Sequence, residues 1–349
     1  MKNITIIWGS SGFWYWITEY LTKNIDSNKI NITITWRRKD HLIKQSALIW
    51  CNYSLDNIEA VKSADIIVFS VPIYDTEKTI LKVWPFIKKW SIVLDVTSIK
   101  QTPVKAFKKS IKPGVLIIPI HPMFGPYINS LSWQHVIFTP SKSTSLDKRY
   151  NLFKEELEML WAKIIETSPK KHDKMMAIVQ WLTHFNMFVI WKTLQKLKVN
   201  ITESLDFISP MYKIMISSVE RYMNQNPWLY WDIQVYNPEV LKVDKVFKQT
   251  AAEFRDDVKN QDKESFIKKV EKTQKYLWEN AQKWQIYTDK LTYLVSKQTE
   301  KINNNIWNNI NMINIYTWQE LSWNLESFNN DKIVFSDKSE INIDEWDIL

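Results

Sequence analysis

Short apolar runs closed by turn-forming residues alternate with amphipathic stretches through the first half of the chain. NITIIW at positions 3–8 reads as a buried strand, and residues 13–24 follow at helical spacing. Ile30–Thr35, Ala64–Pro72, Ser91–Val96 and Val115–Ile120 continue the strand series, with helical stretches at Thr76–Lys89 and Pro103–Ser110. Strands alternating with helices predict an α/β domain over residues 1–165, with a parallel sheet covered on both faces.

From about Lys171 to Lys297 the period changes. Long apolar stripes at helical spacing dominate, as in Met175–Leu197 and Glu239–Lys259. The segment 166–300 therefore reads as an all-α domain. Its apolar surface exceeds what one small bundle buries, which predicts a homodimer. After Lys301 short alternating runs such as NINMINIYT and DKIVFSD predict a small all-β appendage over 301–349, barrel-like in outline.

Composition narrows the class. The chain has 349 residues, 45% apolar and 24% charged, enough for a packed core. One cysteine, Cys51, excludes a disulfide framework and a Cys-based zinc site, and no metal is expected. No apolar run approaches the roughly 20 residues of a membrane span. MKNITIIW enters a strand directly, leaving no room for a signal peptide, so a cytoplasmic protein is expected. The net charge of +8 is spread among Glu and Asp rather than gathered into a block. That favours small anionic substrates over nucleic acid.

The counts of two residues are out of proportion. Average usage predicts about 24 glycines and four or five tryptophans; the chain has 4 Gly and 19 Trp. Trp90, Trp133 and Trp318 sit where the chain is expected to turn and where φ > 0 must be tolerated. Most of these tryptophans therefore read as glycines, from a gene whose UGA codons specify Gly but were translated as Trp. The Lys-, Asn- and Ile-rich composition fits an AT-rich genome. Trp16, inside the first helix, can be genuine.

Candidate chemistry collects at strand ends. IIWGSSGFWYW follows the first strand and opens a helix. With glycine at 8 and 14 it becomes a Rossmann-like dinucleotide-binding turn built from Trp8, Gly9, Ser10, Ser11, Gly12, Phe13 and Trp14. Val71 and Pro72, after the strand ADIIVFSVP, would border the same site. The second strand ends in Thr35, Trp36, Arg37 and Arg38, with no acid until Asp40. Arg37 and Arg38 suit a 2′-phosphate, so NADP is expected ahead of NAD; a merely solvated loop is the alternative. His121 in HPMFGP is the best acid/base candidate among the histidines. Ser98 in DVTSIK reads as either a helix N-cap or a substrate partner. By residue type alone, His172 reads as a capping histidine, His184 as a buried histidine with a hydrogen-bond partner and Arg221 as a surface arginine.

HPMFGP, KHDKMMAIVQWLTHF, SPMY and QNPWLYWDIQ occur here in the order and approximate spacing of prephenate dehydrogenases, and the chain resembles that family over residues 1 to about 290. Small residues at Trp181 and Trp231 improve the match. The resemblance implies a Rossmann-like domain, a helical dimerisation domain and oxidative decarboxylation of prephenate to 4-hydroxyphenylpyruvate, with hydride transfer to NADP or NAD. It implies His121 as proton acceptor, Ser98 as its orienting partner, His184 and Arg221 at the substrate, and Lys213, Lys242 or Lys245 as alternative carboxylate partners. Arogenate dehydrogenase is the neighbouring activity, and a dinucleotide-binding sensor is the reading without chemistry.

Overall fold

The computed structural model describes residues 1–348 except 10–11, 27, 111, 126–127, 129, 224, 305–308, 315–319, 330–331, 336–339 and 343–345. The chain forms two compact units. One comprises Met1–Lys192 with Arg221–Lys248, the other Thr193–Glu220 with Gln249–Leu349. The helices read as one segment over 166–300 are thus shared between the units.

The first unit is built on an eight-stranded sheet. Its strands are β1 (Lys2–Ile7), β2 (Ile30–Thr35), β3 (Asn52–Ser54), β4 (Ile66–Phe69), β5 (Ile92–Asp95), β6 (Leu116–Pro122), β7 (His135–Phe138) and β8 (Lys163–Glu166), in the order β3-β2-β1-β4-β5-β6-β7-β8. Pairing is parallel except between β6 and β7. The crossover helices are α1 (Gly12–Asn24), α2 (Lys39–Leu48), α3 (Asn57–Lys62), α4 (Ile73–Val83) and α5 (Gln101–Lys109); α6 (Lys142–Ser145) and α7 (Lys148–Met159) follow β7. Consecutive residues of β4 serve opposite faces. Val68 joins the core with Ile6, Ile34 and Phe138, whereas Ile67 and Phe69 join Val93 and Phe107 on the other side. Both faces being covered, the strand is apolar throughout. Chain order reverses direction between β1 and β4, which creates a crevice at the carboxyl ends of those strands.

The helical region contains α8 (Pro169–Met176), a π-turn at Ala177–Leu182, α9 (Thr183–Lys196), α10 (Ile201–Ser204), α11 (Pro210–Met223), α12 (Pro227–Tyr236), α13 (Val240–Asn260) and α14 (Lys263–Asn304). The π-turn breaks the stretch Met175–Leu197 that sequence spacing reads as continuous. No helix among the described residues is long and apolar enough to cross a membrane. The final strands, β9 (Asn309–Asn314), β10 (Glu320–Asn329), β11 (Lys332–Phe335), β12 (Glu340–Asn342) and β13 (Trp346–Ile348), make an antiparallel sheet in the order β12-β11-β10-β9-β13. Among the described residues its two edge strands do not pair, so the expected barrel-like module is an open sheet.

Left-handed backbone falls on tryptophan. Of the seven non-glycine residues with positive φ among those described, five are Trp8 (68°), Trp50 (54°), Trp90 (70°), Trp133 (63°) and Trp161 (60°). The other two are Lys198 and Gln261. An L-residue with a bulky side chain is a rare occupant of that region. Four of these indoles also stand in solvent: Trp50 is 92% exposed, Trp90 71%, Trp133 74% and Trp161 70%. The turns expected at Trp90 and Trp133 are present, whereas Trp318 lies outside the described residues.

Candidate active site

The turn after β1 combines two left-handed residues with one tight approach. Trp8 has φ 68° and Gly12 φ 60°, and a Cβ on Gly9 would meet Ile6 at 2.8 Å. The Trp8 amide donates to the Thr35 hydroxyl at 3.2 Å, which ties the end of β1 to the end of β2. Ser10, Ser11 and the Trp14 side chain lie outside the described residues. Phe13 packs edge-on against Phe124 at 5.3 Å. Val71 is buried behind the end of β4, and Pro72 precedes α4.

Side chains crowd this backbone. The rings of Trp8 and Trp36 meet edge-on at 5.0 Å, and the Arg37 guanidinium lies 4.1 Å from the Trp8 ring centroid. Arg37 is exposed, 3.7 Å from Asp75 and 3.5 Å from the Tyr74 hydroxyl. Arg38, also exposed, precedes α2 without a side-chain cap bond.

His121 lies near the end of β6 and is buried. Its Nδ1 is 2.9 Å from Nε2 of His172, and Nδ1 of His172 is 2.8 Å from Oδ1 of Asp173. Asp173 is locked from the other side. Its Oδ1 accepts the Lys100 amide at 2.7 Å, its Oδ2 accepts the Gln101 amide at 3.0 Å, and its carbonyl accepts from Asn237. Both amides open α5, where backbone N–H groups and the helix dipole favour an anion. The Lys100 ammonium is fully buried. It donates to the Asp95 carboxylate and, at 2.6 Å, to the Ile120 carbonyl next to His121. Burial lowers the Lys100 pKa and raises that of Asp95, while their mutual attraction opposes both shifts. Burial, aided by the neighbouring His172 and Lys100, lowers the His121 pKa well below its ordinary value, so the ring is neutral at pH 7.

Beyond His121 the lining comes from the π-turn and α9. Gln180 Nε2 stands 3.5 Å from His121 Nε2, and Gln180 Oε1 and Gln101 Nε2 are buried without partners among the described residues. His184, four residues after Gln180, packs against the rings of Tyr222 at 5.0 Å and Tyr230 at 4.8 Å, which meet each other at 5.6 Å. Its Nδ1 is buried without a partner among the described residues, and burial pushes its pKa down to about 4.

Some sequence expectations change. Ser98 is half-buried in the turn after β5 and caps no helix, since Lys100 holds the cap position of α5. The partner of His121 is His172. His172 is not a cap either: Ser168 caps α8, and His172 is buried one turn in. His184 is buried as expected, and its Nδ1 has no partner among the described residues. Arg221 is exposed, next to Tyr222 of the aromatic pocket. Lys213 is exposed on α11 within the second unit, and Lys242 is engaged by Glu239 at 2.8 Å. Sequence reasoning missed Lys100, Asp173 and Gln180. For Lys100 the available signal was a charged residue closing the strand-end loop DVTSIK.

Comparison with known proteins agrees with this architecture. Residues 23–166 match the family model "Prephenate dehydrogenase, nucleotide-binding domain", and residues 168–272 match "Prephenate dehydrogenase, dimerization domain". A Methanocaldococcus jannaschii protein named "Probable arogenate/prephenate dehydrogenase" is 39% identical over 324 residues, 90% of this chain and 71% of the relative. A Haemophilus influenzae "T-protein" is 32% identical over 205 residues, 59% of this chain and 53% of the relative. The crystal structure of a prephenate dehydrogenase from A. aeolicus, solved with hydroxyphenyl propionate and NAD+, shares the fold at a TM-score of 0.63. That likeness has 20% identity and covers 80% of this chain and 98% of the other. A dehydrogenase family with a nucleotide-binding domain sets aside the sensor reading. The chain belongs to the prephenate/arogenate dehydrogenase family.

Proposed function

We propose that this protein oxidises and decarboxylates prephenate, with NADP as the preferred acceptor and His121 as the base. The observation that carries this reading is a buried imidazole near a strand end, 3.5 Å from Gln180, whose Oε1 is buried without a partner among the described residues. A bound nicotinamide would take the hydride from the carbinol carbon. His121 takes the hydroxyl proton as that hydride leaves. Carbon dioxide then departs, its bonding electrons complete the aromatic ring, and the imidazolium returns the proton to the phenolate oxygen. Ser98 would contact the substrate hydroxyl, and His184 would donate or accept at its Nδ1. Arg221 would face the substrate carboxylates. Turnover of prephenate and arogenate, each with NADP and NAD, tests the assignment. His121→Ala should leave dinucleotide affinity intact and slow turnover roughly 10²–10⁴-fold. Equal turnover of the variant and its parent would remove His121 from the reaction.

The proposed division of labour is cofactor on 1–165, substrate and homodimer contacts on 166–300, and an appendage without an assigned role on 301–349. The dimerisation-domain match over 168–272 supports the homodimer. Exposed Leu197, Trp228, Leu241 and Val246 supply apolar surface in that region.

We also propose that most of the tryptophans are glycines in the native protein, through reading of UGA as Gly. The backbone of the β1 turn fits a dinucleotide: it has left-handed residues at 8 and 12 and no room for a Cβ at 9. The indoles of Trp8 and Trp36 do not fit, because they stand at the carboxyl ends of β1 and β2, on the path to that turn. With glycine at both positions, Gly9, Gly12 and the helix start would hold the pyrophosphate, and Arg37 would be free to meet a 2′-phosphate. Peptide masses of the native protein test this: tryptophan-sized residues at 8, 36 and 90 would refute it.

A further inference from the structure

We infer that Asp173 and His172 form a relay that fixes the tautomer of His121, so that its Nε2 presents a lone pair toward the substrate. The inference deepens the reading of His121 as the base and rests on it. The direction of each bond follows from what each atom can do. Asp173 accepts two backbone N–H groups, from Lys100 and Gln101, and as a carboxylate it has no proton to give. His172 must therefore carry its hydrogen on Nδ1 and donate it to Oδ1. That leaves Nε2 of His172 as an acceptor. Among the described residues the group at that atom is His121 Nδ1, 2.9 Å away, which must then be the protonated nitrogen. A neutral imidazole protonated at Nδ1 is unprotonated at Nε2, the atom that Gln180 borders at 3.5 Å.

The burial of the chain makes the choice strict. The side chains of His172 and Asp173 are fully buried, so bulk solvent does not reach either bond. The Lys100 ammonium fixes the other end of the arrangement by holding the Ile120 carbonyl, while its own amide holds Asp173. His172 and Asp173 touch no reacting atom in this scheme. They are positioning residues, acting through His121.

The test reads the tautomer directly. In histidine-labelled full-length protein at neutral pH, ¹⁵N–¹H correlation spectra should show both His121 and His172 protonated at Nδ1. A His121 found protonated at Nε2 would overturn the relay. Kinetics give a second readout. His172→Gln keeps an acceptor oxygen for His121, whereas His172→Leu does not. The Leu variant should lose kcat roughly 10²–10⁴-fold, with KM and dinucleotide affinity unchanged, and the Gln variant should recover most of that loss. Equal losses in the two variants, or none in either, would refute the inference. If His172→Leu is fully active while His121→Ala is inactive, the relay alone is wrong. If His121→Ala is also active, the underlying assignment of the base fails instead.

Discussion

Arg37 lies over the indole of Trp8, its guanidinium carbon 4.1 Å from the ring centroid. A cation held on an aromatic face is worth about 0.5–1 kcal/mol at an exposed site. That contact holds Arg37 against the first residue of the turn expected to take a pyrophosphate. Trp8→Gly with Trp36→Gly removes both the obstruction and the stacking partner. The double variant should bind NADP at least roughly tenfold more tightly than the tryptophan form, equivalent to about 1.4 kcal/mol. Titration calorimetry on the two proteins checks this. Equal affinity would mean that the indoles do not block the site.

Cofactor choice should depend on Arg37 and Arg38. Only NADP carries a 2′-phosphate, and a hydrogen bond to a charged group is worth about 1.5–3 kcal/mol. Arg37→Ala with Arg38→Ala, made in the glycine-bearing protein, should weaken NADP roughly 10–100-fold and leave NAD nearly unchanged. Asp75, 3.7 Å from Arg37, competes for the same guanidinium, so Asp75→Asn should shift preference the other way. Dissociation constants for both dinucleotides decide the point.

The left-handed tryptophans make a prediction about stability that does not depend on the cofactor. Holding an L-residue in that region costs about 1–2 kcal/mol, which glycine avoids. Trp50→Gly, Trp90→Gly, Trp133→Gly and Trp161→Gly each remove an indole that is at least 70% exposed, so little packing is lost. Each should stabilise the protein by about 1 kcal/mol in denaturant unfolding. Trp16→Gly is the contrast. It sits within α1, stacked on Tyr20 at 5.4 Å and Phe13 at 5.8 Å, and glycine there should destabilise.

Periodicity made the sheet readable because its central strands are covered on both faces. Val68 and Phe69 are apolar for two different cores, so an uninterrupted run marks the strand. β3 and β8 were not legible: three or four residues with mixed exposure carry no clear period. The turn around Trp90 was legible from letters that looked wrong for a turn, and its backbone is left-handed. In the site, His121 stood out as a titratable residue at a strand end. Lys100 and Asp173 did not, because their importance lies in burial and in contacts spanning 73 residues, which sequence spacing cannot show. The π-turn escaped for a similar reason, since one extra residue per turn leaves an apolar stripe nearly intact.

Acid sensitivity should trace in part to His184. Its folded pKa of about 4 lies below the ordinary value of 6.5, because burial against Tyr222 and Tyr230 penalises the charged ring. Between those two values the unfolded chain binds a proton that the folded chain does not. Stability from this residue is therefore complete above pH 6.5 and is lost as pH falls toward 4, by about 3 kcal/mol in total. His121 and His172, both with lowered pKa, act in the same direction over the acid range. His184→Phe preserves a ring in the aromatic pocket and removes the titration. The difference in unfolding free energy between pH 7 and pH 4.5 should shrink by about 2–3 kcal/mol in that variant. An undiminished difference would show that His184 is already charged, or already solvated, in the folded protein.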